Sequence, residues 1–341
     1  MQYEIRRFAI PSLRRLGSAA AAVCAGAALL TLGATAHAAY PDRPVTVIVP
    51  FAAGGASDIT ARLIARELGE ALHQSFVVEN KPGASTQIAT RYVINAPPDG
   101  YTLLLATTSV INNAYLYKNL NYDAAKGLRP VISIVDVPAF LTVGPAMKVE
   151  TVQEFLAKAR KASASNILNF GSAGTASTLH LAGEWLNQAA DLKGIHIPFK
   201  GSGPAMVALA GGEVGYSFEN YGPARPQMDA GRARILAIAG PKRFSGLPDV
   251  PTLHEAAGLP DTNMASWFVL MAPAATPDAN VALLNKTVNT ILAKPEVQKQ
   301  LLGLGLVPTG GTPQYLADRM KEDSKKWIDI IQAGNVTIDN Q

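Results

Sequence analysis

The feature that most restricts the fold is a repeated exchange between two hydrophobic periods. Residues 45–49 form a short β-branched run between Pro44 and Pro50, which reads as a buried strand. Directly after it, Ile59, Leu63, Ile64 and Leu68 fall on one helical face, with Arg62, Arg66 and Glu70 on others. The same grammar predicts strands at 76–78 and 102–105 around a helix near 87–95, with Pro97-Pro98-Asp99-Gly100 as a turn. It continues with strands at 140–143, 168–170, 195–198, 214–218 and 235–239, and helices at 151–161, 176–187 and 204–209. Thr151 followed by Glu154 predicts a capping box. After a strand at 267–271 the chain turns helical at 278–292, 295–302 and 312–331. The last helix carries an apolar stripe of Tyr315, Leu316, Met320, Trp327, Ile328 and Ile331. This alternation argues for α/β architecture, with parallel or mixed sheets covered by helices.

The N-terminal segment follows a different pattern. Arg6, Arg7, Arg14 and Arg15 precede an apolar run from about Ala19 to Leu32, and Ala36-His37-Ala38 closes it. Basic, apolar and small-residue regions in that order predict a secretory signal peptide over residues 1–38, cut after Ala38. The apolar run is shorter than the ~20 residues of a membrane anchor. Cys24, the only cysteine, lies inside it, so the mature chain has no thiol for a disulfide or a metal. Removing the segment takes away four arginines and Glu4. The 30 basic and 26 acidic residues of the whole sequence then nearly balance, which implies neither a nucleic-acid nor a membrane partner.

Two Gly-rich turns lie between a strand and a helix, one in each half of the chain: Pro50-Phe-Ala-Ala-Gly-Gly-Ala-Ser-Asp58 and Phe170-Gly-Ser-Ala-Gly-Thr-Ala-Ser177. The first N–H groups of a helix lack intrahelical partners and carry the positive end of the dipole. Glycine lets a ligand approach the backbone. Such turns are seats for a carboxylate or phosphate. As a structural alternative, each is ordinary turn filler. Neither matches a P-loop or a dinucleotide fingerprint.

With these turns go further ordered motifs: Tyr40-Pro-x-Arg-Pro, Glu79-Asn-Lys-Pro-Gly83, Pro98-Asp-Gly-Tyr-Thr102, His180-Leu-Ala-Gly-Glu184, Pro198-Phe-Lys-Gly201 and Leu247-Pro-Asp-Val-Pro-Thr252. Together they resemble the Bug family of periplasmic binding proteins, the substrate-binding components of tripartite tricarboxylate transporters. The resemblance implies a periplasmic binding protein type II fold: two α/β lobes joined by two crossing strands, near 134–141 and 264–271. Lobe one would comprise 39–137 plus 267–341, and lobe two 138–266. It implies a ligand carboxylate held at the first turn by Phe51, Ala53, Gly54, Gly55, Ser57 and Asp58, and at the second by Ser172, Gly174, Thr175 and Ser177. The family usually has Pro where Ala53 stands. A third contact region of the family corresponds here to Glu219, and Ser109 to Asn113 is a candidate cleft wall. A monomer that hands its ligand to inner-membrane transporter subunits is implied, with a membrane signalling kinase as the alternative partner.

Nothing in the residues favours an enzyme. His37, His73, His180, His196 and His254 form no ligand pattern beyond the His180/Glu184 pair, which lacks a third member. No Gly-x-Ser-x-Gly elbow occurs, and no cofactor is expected. The expected ligand is a compact dicarboxylate, aliphatic or aromatic such as terephthalate. Ala52, Ala53, Ala56 and Ala173 would leave room for a ring, and Phe51 or Phe170 would stack on it.

Overall fold

A computed structural model describes residues 1–4, 40–117 and 119–336. The expected signal segment falls almost wholly outside the described residues. The compact unit beginning at Arg43 carries both sheets. Its elements are β1 (Val45–Val49), α1 (Ala56–Leu72), β2 (Phe76–Asn80), α2 (Gln87–Ile94), β3 (Thr102–Thr107), α3 (Ser109–Leu116), α4 (Ala124–Gly127) and β4 (Leu128–Val137). After Pro138 and Ala139 come β5 (Phe140–Val143), α5 (Val152–Ala164), β6 (Asn169–Ser172), α6 (Thr178–Ala190), β7 (Ile195–Pro198), α7 (Ser202–Gly211), β8 (Tyr216–Glu219), α8 (Tyr221–Asp229), β9 (Arg234–Ile238) and α9 (Leu253–Ala257). The chain then returns through β10 (Ser266–Pro273) to α10 (Asp278–Leu292), α11 (Pro295–Gly303), β11 (Val307–Pro308) and α12 (Pro313–Ala333).

The strands form two mixed sheets, in the orders β11-β4-β10-β3-β1-β2 and β7-β6-β8-β5-β9. In the first, β1 runs parallel to β2 and β3, while β10 is antiparallel to β3 and β4. In the second, β6 runs parallel to β7 and β8, while β5 is antiparallel to β8 and β9. This arrangement positions the Gly-rich turns. Each leaves the carboxyl end of a strand flanked by two parallel neighbours, which is where open α/β sheets place their ligands.

Each sheet is fixed by its own core. Ile48, Leu104, Trp267, Val269 and Leu316 pack in one cluster, and Leu141, Phe155, Phe170, Tyr216, Phe218 and Trp327 in another. Full burial of such side chains is worth about 1.5–3 kcal/mol each. Trp267 also donates its Nε1–H to Asp323 Oδ2 at 2.9 Å, which satisfies its polar edge.

Several local expectations change. Thr151 caps α5 by accepting the Glu154 N–H at 3.2 Å, but Glu154 Oε2 accepts from Glu150 N–H instead of closing a box. The complete capping box is at Thr252 and Glu255. In α12, Leu316, Trp327 and Ile331 are buried while Tyr315 faces out, so the apolar stripe is narrower than its spacing suggests. Helix α3 has no clear sequence signal, because Asn, Val, Ile and Tyr are indifferent helix formers and packing on α12 decides it.

Candidate anion-binding site

The first turn follows β1 and opens α1. Gly55 is the N-cap of α1 and offers no side-chain cap, so the first N–H groups of a 17-residue helix stay open toward the turn. Residues 51–56 are exposed, whereas Ser57 and Asp58 are buried. Gly54 has φ +87°, a left-handed backbone that glycine adopts freely, and a Cβ there would meet nothing within 4 Å.

The carboxylate of Asp58 does not face outward. Its Oδ2 accepts the Gly54 N–H at 2.9 Å and Arg62 Nε at 3.0 Å, and its Oδ1 accepts Asn80 Nδ2 at 2.9 Å. Asn80 Nδ2 also donates to Phe51 O at 3.0 Å. The Arg62 hydrogen bond, then those from Gly54 and Asn80, outweigh burial and hold the carboxyl down at about 2. Asp58 thus braces the turn from behind. Nearby, β3 pairs directly with β1, so its carboxyl end delivers Thr108 and Ser109 beside the first turn. Thr108 provides no side-chain cap to α3, and Ser109 is half-buried there.

The second turn follows β6 and opens α6. Here the helix is capped: Ser177 Oγ accepts the His180 N–H at 3.2 Å and donates to Gly174 O at 2.8 Å. Ser172 is fully buried, and its Oγ accepts the Gly174 N–H at 3.1 Å and lies 2.6 Å from His196 Nε2. Of the four residues expected to touch a ligand here, Ser172 and Ser177 spend their hydroxyls inside the turn. Thr175 is exposed and Gly174 half-buried at its tip. Gly174 has φ +130°, and a Cβ there would stand 3.3 Å from Phe199 O.

Glu219 ends β8 two residues past Ser217, which pairs with Gly171, and so lies at the height of the second turn. It is fully buried. Its Oε1 accepts Ser217 Oγ at 2.8 Å, and burial, which outweighs the Ser217 and Ser202 hydroxyls, pushes its carboxyl up to about 7. Phe170 is also fully buried, stacked between Tyr216 and the imidazoles of His180 and His196. Its ring is consumed by the core and does not stack on a ligand. Phe51 is 38% exposed and stays free for that purpose. A cavity of about 870 Å³ lies elsewhere, between α3, α4 and α12, and is lined by Ile111, Tyr115, Tyr122 and Met320. No group of three metal-ligating side chains exists among the described residues.

The sequence of residues 60–336 matches the model of the tripartite tricarboxylate transporter family receptor, TctC. The chain belongs to this receptor family. Protein BugT of Bordetella pertussis is 33% identical to it, covering 86% of this chain and 90% of BugT. An R. palustris protein solved with adipate superposes with TM-score 0.78 at 35% identity, covering 87% of this chain and 99% of that one. MatC from Rhodopseudomonas palustris, solved with malate, gives TM-score 0.72 at 33% identity, covering 86% and 100%. The resemblance to Bug proteins and the two-lobed α/β fold that it implied are therefore the observed ones.

Within the family fold, sequence reasoning missed the groups that hold the turns: Asn80, His180 in its bracing role, and His196. One signal was available. Asp58 and His180 occupy the third position of their helices, from which a side chain reaches back to the backbone before the cap. Asn80 stands in the Glu79-Asn-Lys-Pro-Gly83 motif, but nothing in that motif marks it as a partner of Asp58.

Proposed function

We propose that the protein captures a small dicarboxylate between its two lobes in the periplasm and delivers it to the membrane subunits of a tripartite transporter. The observation that carries this is the open N-terminus of α1. Its N–H groups lack a side-chain cap beside an exposed turn, and the adjoining carboxylate, Asp58, is neutralised by Arg62. A ligand carboxylate supplies the missing acceptor. Phe51, Ala53, Gly54, Gly55, Ser57 and Ser109 form the lobe-one half, with Asp58 behind them. Gly174 and Thr175 form the lobe-two half, supported by Ser172 and Ser177, with Glu219 deeper in that lobe. The lobes are 39–137 plus 267–341 and 138–266, and they close about the chain crossings at Pro138–Ala139 and before β10. Relatives solved with adipate and with malate support an aliphatic dicarboxylate, and only Phe51 remains to favour an aromatic one. Removal of residues 1–38 on export yields the mature, monomeric receptor.

A thermal-shift screen tests this reading, because a ligand that binds only the native state raises its melting temperature. Adipate, malate and terephthalate are compared with their monocarboxylate or amide analogues. A rise of several degrees with a diacid, absent with the analogues, is expected. A flat response across the panel rejects the proposal.

A further inference from the structure

The second turn contains a conformational problem that its own residues do not solve. Ala176 sits at φ +61°, in the left-handed region that a residue with a Cβ occupies at a penalty. It lies two residues after Gly174, which is also at positive φ. A strained residue at a ligand-facing turn persists only where its surroundings hold it.

Two imidazoles, His180 buried and His196 half-buried, supply that hold. His180 Nδ1 accepts the Ala176 N–H at 2.9 Å, reaching back over four residues. This fixes the proton of His180 on Nε2, which faces Glu184 Oε1 at 3.4 Å. His196 lies flat against His180, with centroids 3.6 Å apart and planes inclined by 16°. Its Nε2 meets Ser172 Oγ at 2.6 Å, and that hydroxyl is bonded to both the N–H and the carbonyl of Gly174. The stacked pair therefore grips the turn on either side of its exposed tip, through Gly174 and through Ala176. Phe170 closes the stack from beneath, at 5.1 Å from His196 and 6.0 Å from His180.

The first lobe uses the same geometry with different chemistry. There Asp58, also third in its helix, accepts the N–H of Gly54 four residues back. We infer that His180 and His196 are the positioning residues of the lobe-two half of the site, holding Gly174 and Ala176 in the conformation that presents the Thr175 tip to a ligand carboxylate. The inference rests on the carboxylate-receptor reading above. It assigns no ligand contact to either imidazole, and it gives the family-like His180/Glu184 pair a role other than metal binding.

The test is a binding measurement by calorimetry with adipate, malate and terephthalate on wild type, H180A, H180N, A176G and the A176G/H180A double variant. Release of a strained backbone residue corresponds to a loss of about tenfold to a hundredfold, and H180A is expected to lose affinity in that range. H180N, whose Oδ1 stands near the position of Nδ1, recovers most of it. Glycine at 176 occupies the left-handed region without penalty, so the His180→Ala loss shrinks to about threefold or less in the A176G background, the non-additivity expected of residues in contact. Equal affinity of H180A and wild type overturns the inference. So does an H180N variant as weak as H180A, or an undiminished loss in the A176G background, since simple loss of packing predicts both. A folded wild type that binds none of the three acids rejects the receptor reading itself. A wild type that binds beside an H180A variant that binds equally rejects the brace alone.

Discussion

The two Gly-rich turns look interchangeable in sequence and are built differently. The first leaves its helix uncapped and is braced by an ionised network of Asp58, Arg62 and Asn80. The second has a serine-capped helix and is braced by uncharged groups, with His196 pushed down to about 3 by burial and by its neighbour His180. One side thus depends on the Asp58 carboxylate staying ionised, the other includes the His196 imidazole held neutral. The lesson is that a strand–Gly-rich turn–helix pattern marks a candidate anion seat, while the residue at the third helical position decides which group braces its backbone.

The largest effect should come from placing a side chain where the first turn is open. At Gly54 a valine would face empty space, so no clash disrupts the fold. Its positive φ costs about 1–2 kcal/mol for an L residue, and its bulk occupies the approach of the ligand. Gly54→Val should remain folded, with a lowered melting temperature, and show no ligand-induced thermal shift. Retained binding would mean that the open helix start is not the anion seat.

The next test separates the lobes by pH. The carboxyl of Glu219 is raised from 4.5 to about 7 in the folded protein. The folded state therefore binds a proton more tightly than the unfolded one. The stability tied to this group is fully present below pH 4.5 and is lost as pH rises through about 7. A shift of that size corresponds to about 3 kcal/mol at most between the two plateaus. Glu219→Gln is neutral throughout and keeps a partner for Ser217. It should match wild type near pH 4.5 and be more stable at pH 8, as read by chemical denaturation. Parallel pH–stability curves for the two proteins would show that the carboxyl titrates as an ordinary acid.

Lobe one should show the opposite sign. Asp58, held at about 2, contributes stability above its ordinary value of 3.8 and loses it as pH falls through about 2. Arg62 is half-exposed, which screens the pair, so a loss of about 1 kcal/mol is the appropriate scale. Asp58→Asn keeps the acceptor for Gly54 N–H but removes the charge. It should weaken carboxylate binding less than Gly54→Val does and flatten the acid limb of the stability curve. An acid limb as steep as that of wild type would assign acid sensitivity to other carboxylates.

Much of this was readable from residues alone, and the rest was hidden for physical reasons. The strands around Val45, Phe76, Phe140 and Ile235 followed from β-branched runs between turn residues, and the two strand-to-helix turns from glycine beside a helix start. The direction of Asp58 was not legible. A carboxylate at the third helical position serves equally well as ligand contact or backbone brace, and Arg62 and Asn80 decide between them in three dimensions. Phe170 looked available for stacking because its neighbours in sequence are small, yet His180, His196 and Tyr216 enclose it from other elements. Likewise the left-handed backbone of Ala84, Ser85 and Thr86 carries no local signal, since none of the three is glycine.

The smallest expected effect lies one residue from the largest. Gly55 stands beside Gly54 in the motif, but its φ of −79° is one that any residue adopts. The nearest atom to an added Cβ would be Ala52 O at 3.9 Å, an ordinary contact. Gly55→Ala therefore pays neither strain nor clash, and it removes some unfolded-state freedom, which favours folding by about 0.4–1 kcal/mol. Its melting temperature should equal or slightly exceed that of wild type, whereas Gly54→Ala should fall below it. Binding then separates two uses of glycine. If Gly55 is needed only to let the ligand reach the backbone, Gly55→Ala will lose affinity without losing stability. If affinity also stays unchanged, the approach runs over Gly54 alone, and the seat is narrower than the double-glycine motif implies.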